Sequence, residues 1–196
     1  MDRLLAAIQG YVREYFDNDS TGHDYYHMKR VASWARFIAE QEGADPFICE
    51  VSGWLHDMGD AKLFANPEEA KKNVMCFLSE QGIDEASSNE IKMAMEDVSF
   101  SKGAVPKTLE GKIVQDADRL DAIGAIGIAR TFAYGGAHGQ LIHSEQSESA
   151  TSIQHFHDKL LKISALIHTS SARKEAEKRH QFIVDYLKRF SNEWSL

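Results

Sequence analysis

An all-α fold is predicted for this chain by three observations. Apolar residues recur at three- and four-residue spacing along most of its length, strand-type alternation is almost absent, and the three prolines include two that directly follow a capping Asp or Asn. The 196 residues are enough to bury a hydrophobic core without disulfides or a structural metal. With no break in composition and no fixed-period repeat, residues 1–196 read as one domain.

The elements follow in order. Residues 2–16 carry Leu4, Leu5, Ile8, Val12, Tyr15 and Phe16 at helical spacing, and 24–42 carry Met28, Val31, Trp34, Ala35 and Ile38 up to Gly43, a residue suited to closing a helix. Asp45-Pro46 places a capping carboxylate before a proline at the first helical position, and that helix is expected to run to Gly59, with His56 and Asp57 in its last turn. Asn66-Pro67 repeats the signal for a helix ended by Gly82, and Asp84 caps the next, up to about Val98. Residues 99–107 read as a loop. A long apolar pattern over 109–133 (Ile113, Val114, Leu120, Ile123, Ile126, Ile128, Phe132), carrying Gly124 and Gly127, predicts one central, closely packed helix. Gly135-Gly136 and the polar stretch 143–151 predict a mobile loop, and helices over about 152–168 and 171–191 finish the chain, the last with Ala172, Ala176, Ile183, Tyr186, Leu187 and Phe190 on its core side.

Composition narrows the function. The net charge of −8 disfavours a nucleic-acid polymer as partner, because phosphate contacts call for Lys and Arg, while a small phosphorylated ligand needs only a few local cations and a metal. No apolar run is long enough to span a membrane, and the start Met1-Asp2-Arg3-Leu4 lacks the pattern of a signal peptide, so a cytoplasmic location is expected. Cys49 and Cys76 both sit in apolar helical patterns and are expected to be reduced, buried packing residues; without a Cys-x-x-Cys, thiolate zinc sites are excluded.

The stretch Trp54-Leu55-His56-Asp57-Met58-Gly59-Asp60 offers an imidazole and a carboxylate from adjacent residues. Neighbours on a helix point roughly 100° apart, so both reach one ion only near a helix end. Such a mixed donor pair suits a divalent first-row metal, and carboxylate hardness tilts the choice toward manganese, iron or magnesium. His27, the His56-Asp57 pair and one acid of Asp116, Asp118 and Asp121 would supply two imidazoles and two carboxylates, leaving about two positions open on a six-coordinate ion for hydrolytic chemistry. Spacing does not choose among the three acids: Asp118 and Asp121 share a helix face, and Asp116 lies almost opposite Asp118. His23-Asp24-Tyr25-Tyr26-His27 superficially echoes the zinc-protease pattern His-Glu-x-x-His, but Asp is one methylene shorter than the required Glu and no third ligand follows at the usual spacing.

The order His, then His-Asp, then Asp followed by Arg-Leu resembles the HD-domain superfamily of metal-dependent phosphohydrolases. The stretches Gly22-His23-Asp24-Tyr25-Tyr26-His27-Met28-Lys29-Arg30-Val31 and Gln115-Asp116-Ala117-Asp118-Arg119-Leu120-Asp121-Ala122-Ile123-Gly124, with Arg179-His180-Gln181-Phe182 and Glu193-Trp194 in the tail, are similar to its small stand-alone bacterial members. The resemblance implies a single HD-type helical bundle with the metal site at its centre, its core about 20–135 and helices of about 152–191 packed on that core. It implies His27, His56, Asp57 and Asp118 as ligands of one divalent ion, manganese first, with iron, nickel, cobalt, magnesium and zinc also compatible. It also implies that Asp60, one helical turn after His56, orients or deprotonates the attacking water.

Around this set, Lys62 and Arg30 are candidates to neutralise substrate phosphates, and Arg119 to bridge to its neighbouring ligand or to a phosphate. His23 is a candidate to contact phosphate. Asp121 is expected to meet a sugar hydroxyl or to orient His27, and Tyr26, with Tyr25, to line a base pocket or else to cover the helix start. The activity implied by the similar subgroup is hydrolysis of a small nucleotide, first a nucleoside or deoxynucleoside triphosphate to monophosphate and pyrophosphate. Phosphomonoester and phosphodiester hydrolysis are the alternatives, the latter weakened by the lack of a second His-His metal pair. A metal-dependent nucleotide sensor with negligible turnover and a metal-free scaffold are the readings from other classes. Homodimerisation stays open.

Overall fold

The caps read from the sequence at Asp45, Asn66 and Asp84 start three of the helices, and Gly43 ends another. The structure, a computed structural model, describes residues 2–17, 22–98, 103–145 and 150–195. Helix α1 (Asp2–Phe16) buries Ile8, Val12 and Phe16, while Tyr15 stays exposed. Helix α2 (Tyr25–Glu42) starts where the Asp24 carboxylate accepts the His27 N–H at 2.7 Å and stops at Gly43, φ 74°. Helix α3 (Pro46–Leu55) starts at Asp45, which accepts from the N–H groups of Phe47 and Ile48.

Its end differs from expectation. The helix stops at Leu55 rather than running to Gly59, so His56 and Asp57 lie in the turn beyond it. Gly59 closes that turn at φ 86°, where a Cβ would stand 2.7 Å from Lys71 Cγ and 2.8 Å from the Pro67 carbonyl oxygen.

Asn66 caps helix α4 (Pro67–Glu80), which buries Ala70, Val74 and Leu78 at four-residue intervals. Cys76 falls off that stripe and is exposed, so of the two cysteines only Cys49 is the expected buried packing residue. Asp84 caps helix α5 (Glu85–Met95), which stops short of Val98. Residues 99–102 of the expected loop lie outside the described residues.

The single helix expected over 109–133 is two: α6 (Leu109–Asp121) and α7 (Gly124–Ala137). Ile123 is extended (φ −125°, ψ 167°) and Gly124 turns left-handed at φ 79°, which breaks the apolar pattern and leaves Ile126 exposed. Gly135-Gly136 belongs to the last turn of α7 rather than to a loop, and residues 146–149 of the expected mobile loop lie outside the described residues. The helix expected over 152–168 is α8 (Ser152–His155), a π-helical turn (Phe156–Leu160), α9 (Leu161–Ile163) and a 3₁₀ turn (Ser164–Leu166). Helix α10 (Ser170–Trp194) closes the described chain, with Ala172, Ala176 and Ile183 buried. No strand occurs among the described residues, and no helix there is long and apolar enough to cross a membrane.

Two hydrophobic clusters organise these elements. Residues of α1, α3, α4 and α5 pack with Tyr25, Met28 and Ala32 of α2; Val31, Ala35 and Ile38 of α2 pack with α6 and with the C-terminal helices through Phe156, Leu160, Ile163 and Ile183. Helix α2 is therefore the shared wall. It packs directly on α3 and α6, and α3 also packs on α6. The approach of α2 to α3 is close at Gly53, where a Cβ would stand 2.7 Å from Ala32 Cα.

Candidate metal centre

The three mutually packed helices bring the expected ligands together. His27 comes from the first turn of α2, His56 and Asp57 from the turn after α3, and Asp118 from α6. Donor atoms of His27, His56 and Asp118 lie within 4.8 Å of one another. His27 Nε2 stands 3.6 Å from an oxygen of Asp57 and 3.6 Å from one of Asp118, and His56 Nε2 stands 3.4 Å from Asp57 Oδ1. Both imidazoles are buried, and the Asp118 side chain keeps 23% of its surface exposed, which leaves an approach for substrate.

Hydrogen bonds on the far side of each ring fix its tautomer. His27 Nδ1 lies 2.7 Å from Asp121 Oδ2 and His56 Nδ1 lies 2.9 Å from the Gly53 carbonyl oxygen. Carboxylate and carbonyl only accept, so each Nδ1 carries the proton and each Nε2 turns a lone pair inward. His56 Nε2 and Asp57 Oδ2 are buried without a hydrogen-bond partner, a costly state unless something binds there. Burial acts to raise the Asp57 pKa, but His56 and His27 more than offset it and hold the carboxyl well below the usual range. Two imidazoles with Nε2 facing inward and two carboxylates together offer a donor set that complements a divalent cation, so the residues fit the expected ion.

The structure separates the three acids of α6. Asp118 joins the donor set. Asp121 lies behind it, accepting from His27 Nδ1, from Arg30 Nε at 2.6 Å and Nη2 at 3.0 Å, and from Arg130 Nη1 at 2.8 Å. Burial acts to raise its pKa; those hydrogen bonds, with the Arg130 charge, outweigh this and hold it well below the carboxylate range. Asp116 points the other way. It accepts from the His168 N–H at 2.9 Å, and from the Thr169 N–H and hydroxyl at 2.8 Å each, pinning the segment that leads into α10.

A cavity of about 110 Å³ opens beside the donor set. It is lined by His23, Asp57, Asp60, Lys62, Asp118 and Arg119, among others. The Lys62 N–H donates to Asp60 Oδ1 at 2.8 Å, which orients that carboxylate. Burial lowers the pKa of His23, favouring the neutral ring.

Three expected substrate residues sit elsewhere. Arg30 is committed to Asp121 and does not line the cavity; Asp121 is too deeply buried to meet a sugar; Tyr26 is 59% exposed outside the lining while Tyr25 packs inward. Arg119 lines the cavity but also donates to the Leu166 carbonyl and approaches His168. Arg130 and Lys159 line the cavity as well, although no spacing in the sequence ties them to the ligands.

Residues 24–123 match the model of the HD domain. The chain belongs to the HD-domain family. It is 36% identical over 190 residues to the uncharacterized protein YpgQ of Bacillus subtilis, covering 95% of this chain and 91% of that protein. Among solved structures, YpgQ in complex with ADP matches with a TM-score of 0.81 at 35% identity over 95% of each chain. An HD-superfamily hydrolase from Bacillus thuringiensis matches with 0.82 at 39% identity, over 99% of this chain and 97% of that one. As an HD-domain hydrolase, the chain is a metal-dependent phosphohydrolase.

Proposed function

We propose that this hydrolase cleaves nucleoside or deoxynucleoside triphosphates between the α- and β-phosphates, releasing monophosphate and pyrophosphate, with manganese as the favoured ion. The observation that carries the reading is the convergence of His27, His56, Asp57 and Asp118, two of their donor atoms buried without partners, on a cavity that also holds Asp60. The ADP bound in the YpgQ structure supports a nucleotide as the ligand class.

A divalent ion held by the four ligands would supply Lewis acidity toward a phosphoryl oxygen and lower the pKa of water there. Asp60 takes the proton of the attacking water, whose oxygen bonds to the α-phosphorus as the bridging P–O bond breaks and pyrophosphate leaves with the electron pair. His23, as a neutral ring, donates a hydrogen bond to the phosphoryl group, and Lys62 and Arg119 balance the developing charge. Arg30 and Asp121 act one step removed, by holding His27.

The test is release of phosphate and pyrophosphate from nucleoside mono-, di- and triphosphates by chelator-stripped protein supplied with manganese, magnesium, cobalt, nickel or iron, beside Asp57→Ala. The expected result is metal-dependent pyrophosphate release from triphosphates, lost in the variant. Orthophosphate alone would reassign the bond cut. No turnover despite tight metal binding would replace catalysis with nucleotide sensing.

A further inference from the structure

The cavity has a wall that holding the ion does not require. Besides the acids, Lys62, Arg119, Arg130 and Lys159 line it. Arg119 and Arg130 also serve the fold, through the Leu166 carbonyl and Asp121 respectively. Lys159 arrives from a different direction, on the π-helical turn of the C-terminal segment.

The local structure explains how it gets there. Phe156, Leu160 and Ile163 point into the core, and the wider π turn presents Lys159 on the neighbouring face, with Ile163 one turn later also lining the cavity. Lys162, three residues on, is exposed. Such turns concentrate at functional sites. Lys159 is half-buried, which disfavours its charge; the Asp118 carboxylate acts the other way, and Lys62 and Arg130 add to the burial effect. Four cationic side chains lining one recess, in a chain of net charge −8, give a polyanion several charged donors to reach at once.

We infer that Lys159 is a substrate-contacting residue which, with Arg130 and with Lys62 at the rim, forms a subsite for the phosphates beyond the one being attacked, so that linked phosphates are selected over a single one. This deepens the phosphohydrolase reading of the same cavity and rests on it. The subsite takes an inorganic or nucleotide polyphosphate chain. It also gives the C-terminal helices a part in the active site as well as in the core.

The experiment compares wild type, Lys159→Met, Lys159→Arg and the exposed control Lys162→Met, all manganese-loaded. Calorimetry reads the binding of inorganic tripolyphosphate and of orthophosphate, each supplied with saturating manganese, and kinetics reads KM and kcat for a nucleoside triphosphate. Lys159→Met is expected to weaken tripolyphosphate binding and raise KM by about ten- to hundredfold, as for loss of a charged hydrogen bond. Orthophosphate and manganese binding should hold. Lys159→Arg should recover most of the loss, and Lys162→Met should match wild type.

Tripolyphosphate affinity and KM within twofold of wild type in Lys159→Met would overturn the inference while leaving the hydrolase reading intact. Absence of nucleotide turnover in wild type, with tripolyphosphate still lost in the variant, would overturn the substrate assignment and keep the subsite. Should Lys159→Met not fold, Lys159→Gln, which keeps a polar tip at the half-buried position, takes its place under the same criteria.

Discussion

Asp116, Asp118 and Asp121 show how much one helix turn decides. The three acids are chemically equivalent in the sequence, yet α6 sends one to a backbone segment, one to the donor set and one behind His27. Asp116→Ala should cost about 1–3 kcal/mol by leaving buried donors unpaired, while manganese affinity stays near wild type. Asp118→Ala should reverse that pattern, and calorimetry beside thermal unfolding reads both.

Asp121→Asn keeps the shape but weakens the hold on His27, so metal affinity should fall roughly 10–100-fold. It also has a pH signature. Because the folded state holds Asp121 below its unfolded value of about 4, its stabilisation is fully present above that value and is lost as pH falls further. Wild type should therefore lose stability more steeply than Asp121→Asn below about pH 4, as measured by denaturation at successive pH values.

At the scale of elements, the site depends on how closely α2 and α3 approach. Gly53 lies against the Ala32 backbone, and its carbonyl fixes His56. Gly53→Ala meets backbone that cannot swing aside, so it should destabilise by about 1–3 kcal/mol. It should weaken manganese binding as well, since His27 rides on the opposing helix; a stability loss with unchanged affinity would contradict this coupling.

This scale also shows what was legible beforehand. Caps such as Asp45, Asn66 and Asp84 are local signals, so those helix starts were readable, as was the donor set once the family resemblance was recognised. Interruptions were harder. The break at Ile123-Gly124 lies within an unbroken apolar run, and the π turn at 156–160 leaves the helical period nearly intact. Arg130 and Lys159 escaped because their meaning lies in positions reached only through tertiary packing, and Arg30 misled because an isolated cation does not announce its partner.

For the whole molecule, candidate ligands drawn from α2, from the turn after α3 and from α6 would make a bound ion a tie between elements that otherwise meet through apolar packing. Manganese at 100 times its dissociation constant should stabilise the fold by about 2.7 kcal/mol, roughly 5–10 °C in Tm for a chain of this size. Chelation followed by readdition should show that shift in both directions.

The same tie extends past the ligands. Asp121 is gripped at once by Arg30 of α2 and Arg130 of α7, so the bond that steadies His27 also fastens α7 to the rest. Amide hydrogen exchange makes the consequence visible: loading manganese should slow exchange around Arg130, in a helix that supplies no ligand, while the distant start of α1 keeps its apo rate. Helix α7 thus becomes a remote reporter of whether the enzyme is charged with metal.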